Sequence, residues 1–183
     1  ISQDNFSYLV FVSEFMLQQT QVKTVIPYFE RFVEKWPSLK SLAKANNNEI
    51  LMFWQGLGYY SRGRNLLKSA KIIASDFNGK IPINEDELKK LPGIGDYTAA
   101  AIRSIAFNKK AVAIDGNVKR VIARFFGLEG VLEKNLSTIY KFAEAICPNS
   151  NNRNYTQGVM ELGATICKPK KPDCPQCVIS KHC

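Results

Sequence analysis

Leu91-Pro92-Gly93-Ile94-Gly95 joins two segments of helical periodicity, and this join decides the fold. Pro and Gly make a tight turn, and the following helix begins at once. The unpaired N–H groups at that helix start would point outward and can hold a phosphate oxygen. A Pro-Gly turn alone joins helices in many folds. What gives this one weight is Asp115, twenty-two residues beyond Gly93 in Ile114-Asp115-Gly116-Asn117-Val118-Lys119-Arg120. Taken by itself, Asp115 reads as the N-cap of the next helix.

Working outward, the pattern stays helical. Leu66, Leu67, Ala70, Ile73, Ala74 and Phe77 recur at three-to-four spacing, as do Val118, Val121, Ile122 and Phe125, and Ile139, Phe142, Ala143 and Ile146. No segment alternates with period two between hairpin turns. Turn signals fall at Trp36-Pro37-Ser38, Asn46-Asn47-Asn48, Gln55-Gly56-Leu57-Gly58, Asn78-Gly79 and Cys147-Pro148-Asn149. Ser38 and Asn84 are predicted N-caps. Pro27 lies inside an apolar-periodic stretch, so that helix is expected to kink or to begin late. The expectation is about ten short helices, no sheet, no repeat and no low-complexity linker, with Asn149-Ser150-Asn151-Asn152 a surface loop.

The chain has 183 residues, enough for one compact unit or two small lobes, and a net charge of +9. Residues 1–99 hold 12 Lys and Arg against 10 Asp and Glu, whereas residues 100–183 hold 13 against 6. A basic half beside a near-neutral one points to an anionic partner, with nucleic acid the usual candidate and a merely soluble surface the plain alternative. No apolar run approaches the ~18 residues that span a bilayer. The start, Ile1-Ser2-Gln3-Asp4, lacks the basic region of a signal peptide, and without a Met it reads as cut from a longer chain. The single histidine, His182, removes Ser-His-Asp, Cys-His and His-rich zinc hydrolase chemistry. Acid–base work is left to carboxylates, Tyr or Lys.

Four of the five cysteines, Cys167, Cys174, Cys177 and Cys183, crowd the C-terminal 17 residues with six, two and five residues between them. So short a run, rich in Pro and Lys, builds no core but can wrap a metal centre. Disulfides, zinc and iron–sulfur all remain open on thiolate chemistry alone. Cys147 stands apart and reads as a buried core residue.

Together these parts resemble the helix-hairpin-helix DNA glycosylases, and within them the adenine-excising MutY family. Ser13-Glu14-Phe15-Met16-Leu17-Gln18-Gln19-Thr20-Gln21-Val22 is similar to that family's catalytic segment. Gly56 to Asn65, Asp115 to Val121 and Met160-Glu161-Leu162-Gly163-Ala164 resemble its other signatures, in order. The cysteine spacing resembles the [4Fe-4S] loop of endonuclease III and MutY. The resemblance implies an all-α, two-lobed fold. A helical bundle over residues 6–107 contains the hairpin, and a second lobe joins residues 1–5 to 108–183, with the cluster loop at 167–183. It implies a monomer acting on double-stranded DNA, with no membrane, in bacterial cytoplasm or in a eukaryotic nucleus or mitochondrion.

The chemistry implied is base removal. Cleaving a base–sugar bond requires a protonated leaving purine and a stabilised oxocarbenium-like sugar, work suited to two carboxyl groups. By resemblance Glu14 is the general acid, its proton retained by burial in an apolar run; without the resemblance it reads as a solvated Glu. Asp115 stays ionised and stabilises the cation, organised by Asn117 and Tyr97, and the two carboxyl groups face one another across a cleft. The target adenine, opposite 8-oxoguanine or guanine, must first leave the stack. Gln19 resembles the wedge that fills the gap, and Tyr59 the residue inserted beside the opposing base; Tyr60 reads as a core aromatic. Leu17 and Glu161 fall in the substrate-binding segments. Leu91, Gly93 and Gly95 form the DNA-binding hairpin. Lys119, Arg120, Arg62, Arg64 and the Lys168–Pro172 loop are candidate phosphate contacts, with a solvated face the plain alternative. Strand-cleaving relatives carry a Lys where Tyr97 stands, so the expected enzyme is monofunctional.

The sequence also departs from the family. Ile1 and Ser2 stand where it has Trp-Arg, Phe11 where Trp is usual, and Thr156 where Asn is usual. The chain stops at Cys183, before the domain with which the family checks for 8-oxoguanine. Either it belongs to a longer protein or damage recognition is weakened. A thymine or uracil mismatch glycosylase and a non-catalytic iron–sulfur DNA-binding module are the competing expectations. Retention of Glu14 and Asp115 argues against the second of these.

Overall fold

A computed structural model describes residues 2–183. Among these residues there are ten α-helices and no strand: α1 Gln3–Leu17, α2 Val22–Lys35, α3 Leu39–Ala43, α4 Asn47–Trp54, α5 Ser61–Asp76, α6 Glu85–Lys89, α7 Asp96–Ala101, α8 Gly116–Phe125, α9 Leu136–Ile146 and α10 Asn152–Thr165. A π-helical turn, Ile102–Ala106, follows α7, and short 3-10 turns lie at Leu132–Asn135, Cys174–Gln176 and Ser180–His182. By internal packing the chain divides into two compact units, one ending at Ile102 and the other spanning Arg103–Cys183. Ile1 lies outside the described residues. No helix of the described residues is long and apolar enough to cross a membrane.

In the first unit α1 is central because Tyr8 to Leu17 is apolar almost all round, the signature of a helix that packs on every side. Phe11, Phe15 and Met16 are at most 1% exposed, and α1 packs against α2, α5 and α7. Phe11 and Phe15 meet edge to face at 5.1 Å. Each such ring contributes roughly 1.5–3 kcal/mol on burial. Below them Phe32, Trp36 and Trp54 form an aromatic layer, with ring centroids 4.7 and 6.3 Å from Phe32. The Tyr8 hydroxyl donates to the Trp36 carbonyl, and burial pushes its phenol above the ordinary value.

The predicted caps at Ser38 and Asn84 are present; Asn84 accepts from Asp86 N and Glu87 N at 2.9 and 3.2 Å. Asn46, expected only as a turn, is a full capping box with Glu49. The signal was the Asn-x-x-Glu spacing itself. Helix α2 begins at Val22, not late, and continues through Pro27. Pro27 displaces only the bond to the Lys23 carbonyl, while buried Val25 and Phe32 hold the helix on either side.

In the second unit α8, α9 and α10 enclose Ile114, Val118, Ile122, Ala123, Ile139 and Ala143, with Phe126 stacked on Phe142 at 4.2 Å. Cys147 is buried in this unit, as expected. Arg153 closes the π-helical turn, donating from Nε to the Ile105 carbonyl at 2.6 Å and from Nη2 to Ala106 at 3.1 Å.

Candidate functional site

The hairpin forms as its sequence dictates. Leu91, buried at 3%, plugs the turn, Ile94 N donates back to the Leu91 carbonyl at 3.2 Å, and Gly95 caps α7. Gly93 is required twice over. Its φ of +84° is left-handed, and a Cβ there would lie 2.8 Å from Phe15 Cε1 and 2.9 Å from Asn65 Cβ. Gly95 has nothing within 4 Å of such a Cβ. Ser69 Oγ donates to Pro92 O at 2.8 Å, and Gln18 Nε2 to Gly93 O at 3.1 Å, so the turn is pinned to α5 and to the end of α1. Lys89 bridges Glu85 and Asp96, at 3.3 and 2.7 Å, tying α6 to α7. Tyr97 lies half-buried in the first turn of α7.

Glu14, on α1, is only 6% exposed. Three residues on, Leu17 is half-buried; then the chain turns, and Gln19 is exposed with φ 55°. Tyr59, after the Gly56-Leu57-Gly58 loop, is 61% exposed with φ 47°. A left-handed backbone costs a non-glycine residue about 1–2 kcal/mol, so both positions are strained. Tyr60 is 40% exposed and is therefore not the core aromatic expected; Trp54 fills that interior. Arg62 also differs from expectation. It is no surface phosphate contact but is 6% exposed, its guanidinium donating to the carbonyls of Phe15, Met16, Gln18, Leu57 and Gly58. Burial pulls it below its ordinary pKa, with Tyr59 opposing. Arg64 remains exposed.

In the second unit Asp115 is the N-cap of α8. Its Oδ1 accepts from Val118 N at 2.7 Å, the N-cap bond of α8, and its Oδ2 accepts from Asn117 Nδ2 at 3.2 Å. Asn117 is in turn aimed by Arg120, whose Nη2 donates to Asn117 Oδ1 at 2.8 Å and to Gly163 O at 2.7 Å, while Nε donates to Cys167 O at 2.8 Å. Arg120, expected as a phosphate contact, is half-buried, with these carbonyls holding its Nε and Nη2. Gly163 is small because α10 crosses α8 there: a Cβ would come within 2.7 Å of Asn117 Cβ. Lys119 is half-buried on the same helix. Glu161 is exposed on α10, at the rim of an apolar groove of about 560 Å³ that includes Phe125, Leu162 and Val178.

One turn beyond Arg120, Arg124 collects the cysteine run. It donates to the carbonyls of Lys168 and Pro169, at 2.7 and 3.0 Å, and its Nη1 lies 3.4 Å from Cys167 Sγ. Cys183 Sγ lies 3.8 Å from the Arg124 carbonyl, so both ends of the run meet at this residue. All five cysteines are free thiols, and the disulfide alternative is not realised. Four cysteines in one short run, with the Arg124 guanidinium against Cys167, are a donor set of the kind that suits iron–sulfur or zinc. Among the described residues, however, no three metal-ligating side chains are gathered into one site. Sequence reasoning missed the carbonyl contacts of Arg62, Arg120 and Arg124, since these join residues more than forty positions apart.

Residues 12–147 match the model of the HhH-GPD superfamily base excision DNA repair proteins. The chain is 43% identical over 99% of its length to the adenine DNA glycosylase of Buchnera aphidicola from Schizaphis graminum, and 42% identical over 98% of its length to that of Homo sapiens. It spans only 53% and 34% of those relatives' own lengths. Among solved structures it superposes on a thermostable thymine-DNA glycosylase with a TM-score of 0.86 and 32% identity, over 100% of this chain and 84% of that one. A non-covalent endonuclease III–DNA complex matches with a TM-score of 0.79 and 26% identity, over the same shares. The chain thus belongs to the HhH-GPD superfamily of base excision DNA repair proteins.

Proposed function

We propose that this chain carries the catalytic machinery of an adenine DNA glycosylase that hydrolyses the base–sugar bond of adenine opposite 8-oxoguanine or guanine in double-stranded DNA. The observation that carries the reading is Glu14. It is a carboxyl group at 6% exposure on the central helix, in a chain whose curated relatives over nearly its whole length are named adenine DNA glycosylases. In this reading the adenine is flipped from the stack while Gln19 fills its place and Tyr59 inserts beside the opposing base. Leu17 and Glu161 contact the target nucleotide, and the hairpin Leu91-Pro92-Gly93-Ile94-Gly95 and Lys119 hold the backbone. Glu14 delivers its proton to the adenine ring as the base leaves with the bonding electron pair. Asp115, oriented by Asn117 and assisted by Tyr97, stabilises the sugar cation. Water adds its hydroxyl to the anomeric carbon, and its proton is returned to the carboxylate. With Tyr97 in the hairpin helix, no lysine stands there to form a Schiff base, so the strand is left uncut. Cys167, Cys174, Cys177 and Cys183 would hold a [4Fe-4S] cluster, which would fix the loop that Arg124 contacts.

A second reading, removal of thymine or uracil opposite guanine, is favoured by the likeness to the thymine-DNA glycosylase structure. One single-turnover experiment separates the two: adenine opposite 8-oxoguanine, with thymine and uracil opposite guanine in parallel and Glu14→Gln as the control. The proposal expects adenine release that Glu14→Gln abolishes, with strand breaks appearing only after alkali. Release of thymine or uracil moves the chain to the mismatch class. Tight binding without any release supports a non-catalytic DNA-binding module.

A further inference from the structure

The chemistry above makes no use of Arg62, which is buried against five backbone carbonyls drawn from two segments. Phe15, Met16 and Gln18 are the last carbonyls of α1, its electronegative end, and Leu57 and Gly58 belong to the loop before α5. Two of these acceptors, Gln18 and Gly58, immediately precede Gln19 and Tyr59, at 2.5 and 3.1 Å from the guanidinium. Because a peptide unit is planar, holding the carbonyl of one residue fixes the plane from which the next residue's φ departs. Arg62 therefore fixes the starting plane of both left-handed residues at once, φ 55° at Gln19 and 47° at Tyr59. The same guanidinium lies 5.5 Å from the Tyr59 ring centroid and 5.6 Å from that of Trp54, so it also props the tyrosine against the core. Only a planar fork with several donors can serve both segments together; an ammonium is a single point.

We propose that Arg62 is a positioning residue that aims Gln19 and Tyr59 as one unit, so that both side chains enter the duplex together when the target base leaves. This rests on the reading of those two residues as the ones that insert into DNA. It makes the end of α1 and the Gly56–Tyr59 loop a rigid two-pronged tool whose prong spacing is set from beneath.

The test compares Arg62→Lys and Arg62→Met on two substrates, adenine in a mispaired duplex and adenine opposite an abasic gap, where no base pair has to be opened and no opposing base is present for Tyr59 to insert beside. Misplacing the prongs by about an ångström is expected to slow excision from the mispair about a hundredfold. The rate on the gapped substrate should stay near that of the unaltered protein. Fluorescence of 2-aminopurine at the target position should rise on binding of the unaltered protein and stay quenched with the variants. Arg62→Lys, which retains the buried charge, keeps the comparison readable if Arg62→Met does not fold. In a Gln19→Ala, Tyr59→Ala background, Arg62→Lys should add no further loss. Equal slowing on both substrates, or losses that multiply in that background, would overturn the proposal while leaving the insertion reading intact. If Gln19→Ala and Tyr59→Ala excise from the mispair at the unaltered rate, the insertion reading fails and the proposal falls with it.

Discussion

Two glycines of one turn should respond oppositely to the same methyl group. At Gly93, alanine must adopt φ +84°, and its Cβ must come within 2.8 Å of the Phe15 ring and 2.9 Å of Asn65 Cβ. Neither neighbour yields easily, because Phe15 is fully buried and already engaged with Phe11. The left-handed backbone costs about 1–2 kcal/mol and overpacking about 1–3, so Gly93→Ala is expected to cost about 2–5 kcal/mol. For a chain of this size that lowers the melting temperature by roughly 4–20 °C. At Gly95, φ is −99° and no atom lies within 4 Å of the added carbon. Gly95→Ala should cost only what the poorer cap costs, at most about 1 kcal/mol. Both tryptophans, Trp36 and Trp54, lie in the first unit, so their fluorescence in urea reports on the unit that contains the hairpin. DNA binding, followed by anisotropy of a labelled duplex, should separate the variants the other way. Gly95→Ala keeps the fold and loses affinity, since its methyl fills the space before the α7 N–H groups. The reasoning is refuted if Gly93→Ala unfolds at the unaltered midpoint, or if Gly95→Ala binds duplex normally.

Other substitutions test the second unit. Asp115→Asn should abolish base release yet leave the melting temperature nearly unmoved, because asparagine caps a helix about as well as aspartate; single-turnover kinetics beside a thermal melt checks both halves. Arg124→Met releases the Lys168 and Pro169 carbonyls and the charge beside Cys167, and should yield purified protein with less iron and weaker visible absorbance than the unaltered chain. Burial, with some help from Cys147, pushes the Tyr155 phenol up to about 12 from an unfolded value of 10.0. The unfolded chain therefore gives up its proton first, so stability is full below pH 10 and declines between pH 10 and 12. The urea midpoint should fall across that window, and Tyr155→Phe should flatten the fall.

Much of this was legible from spacing alone. The period of the apolar residues foretold ten helices without a sheet, and the Pro-Gly turn followed by Asp115 foretold the hairpin and the cap of α8. Glu14 reads as a solvated residue on its own and as a buried one only through the resemblance, and it is buried. What escaped were contacts between residues far apart in the chain. Arg62 reaches Gln18, 44 positions away, and Arg124 reaches Lys168, also 44 away. Arg62 reads as a surface charge because a guanidinium is usually one, and only tertiary structure could supply enough carbonyls to satisfy it indoors. Gly163 carried no local signal either. Its reason lies in Asn117, on another helix.

The left-handed conformations of Gln19 and Tyr59 have a consequence for anyone who would toughen this protein. A stabilisation campaign judged on heat resistance alone would be drawn to these two positions, because glycine there relieves backbone strain with no packing lost from the core. On the reading developed above, such variants would survive the oven and lose their hold on the duplex. Position by position, the tolerance of this loop pair to glycine should therefore separate what selection for folding wants from what selection for repair wants.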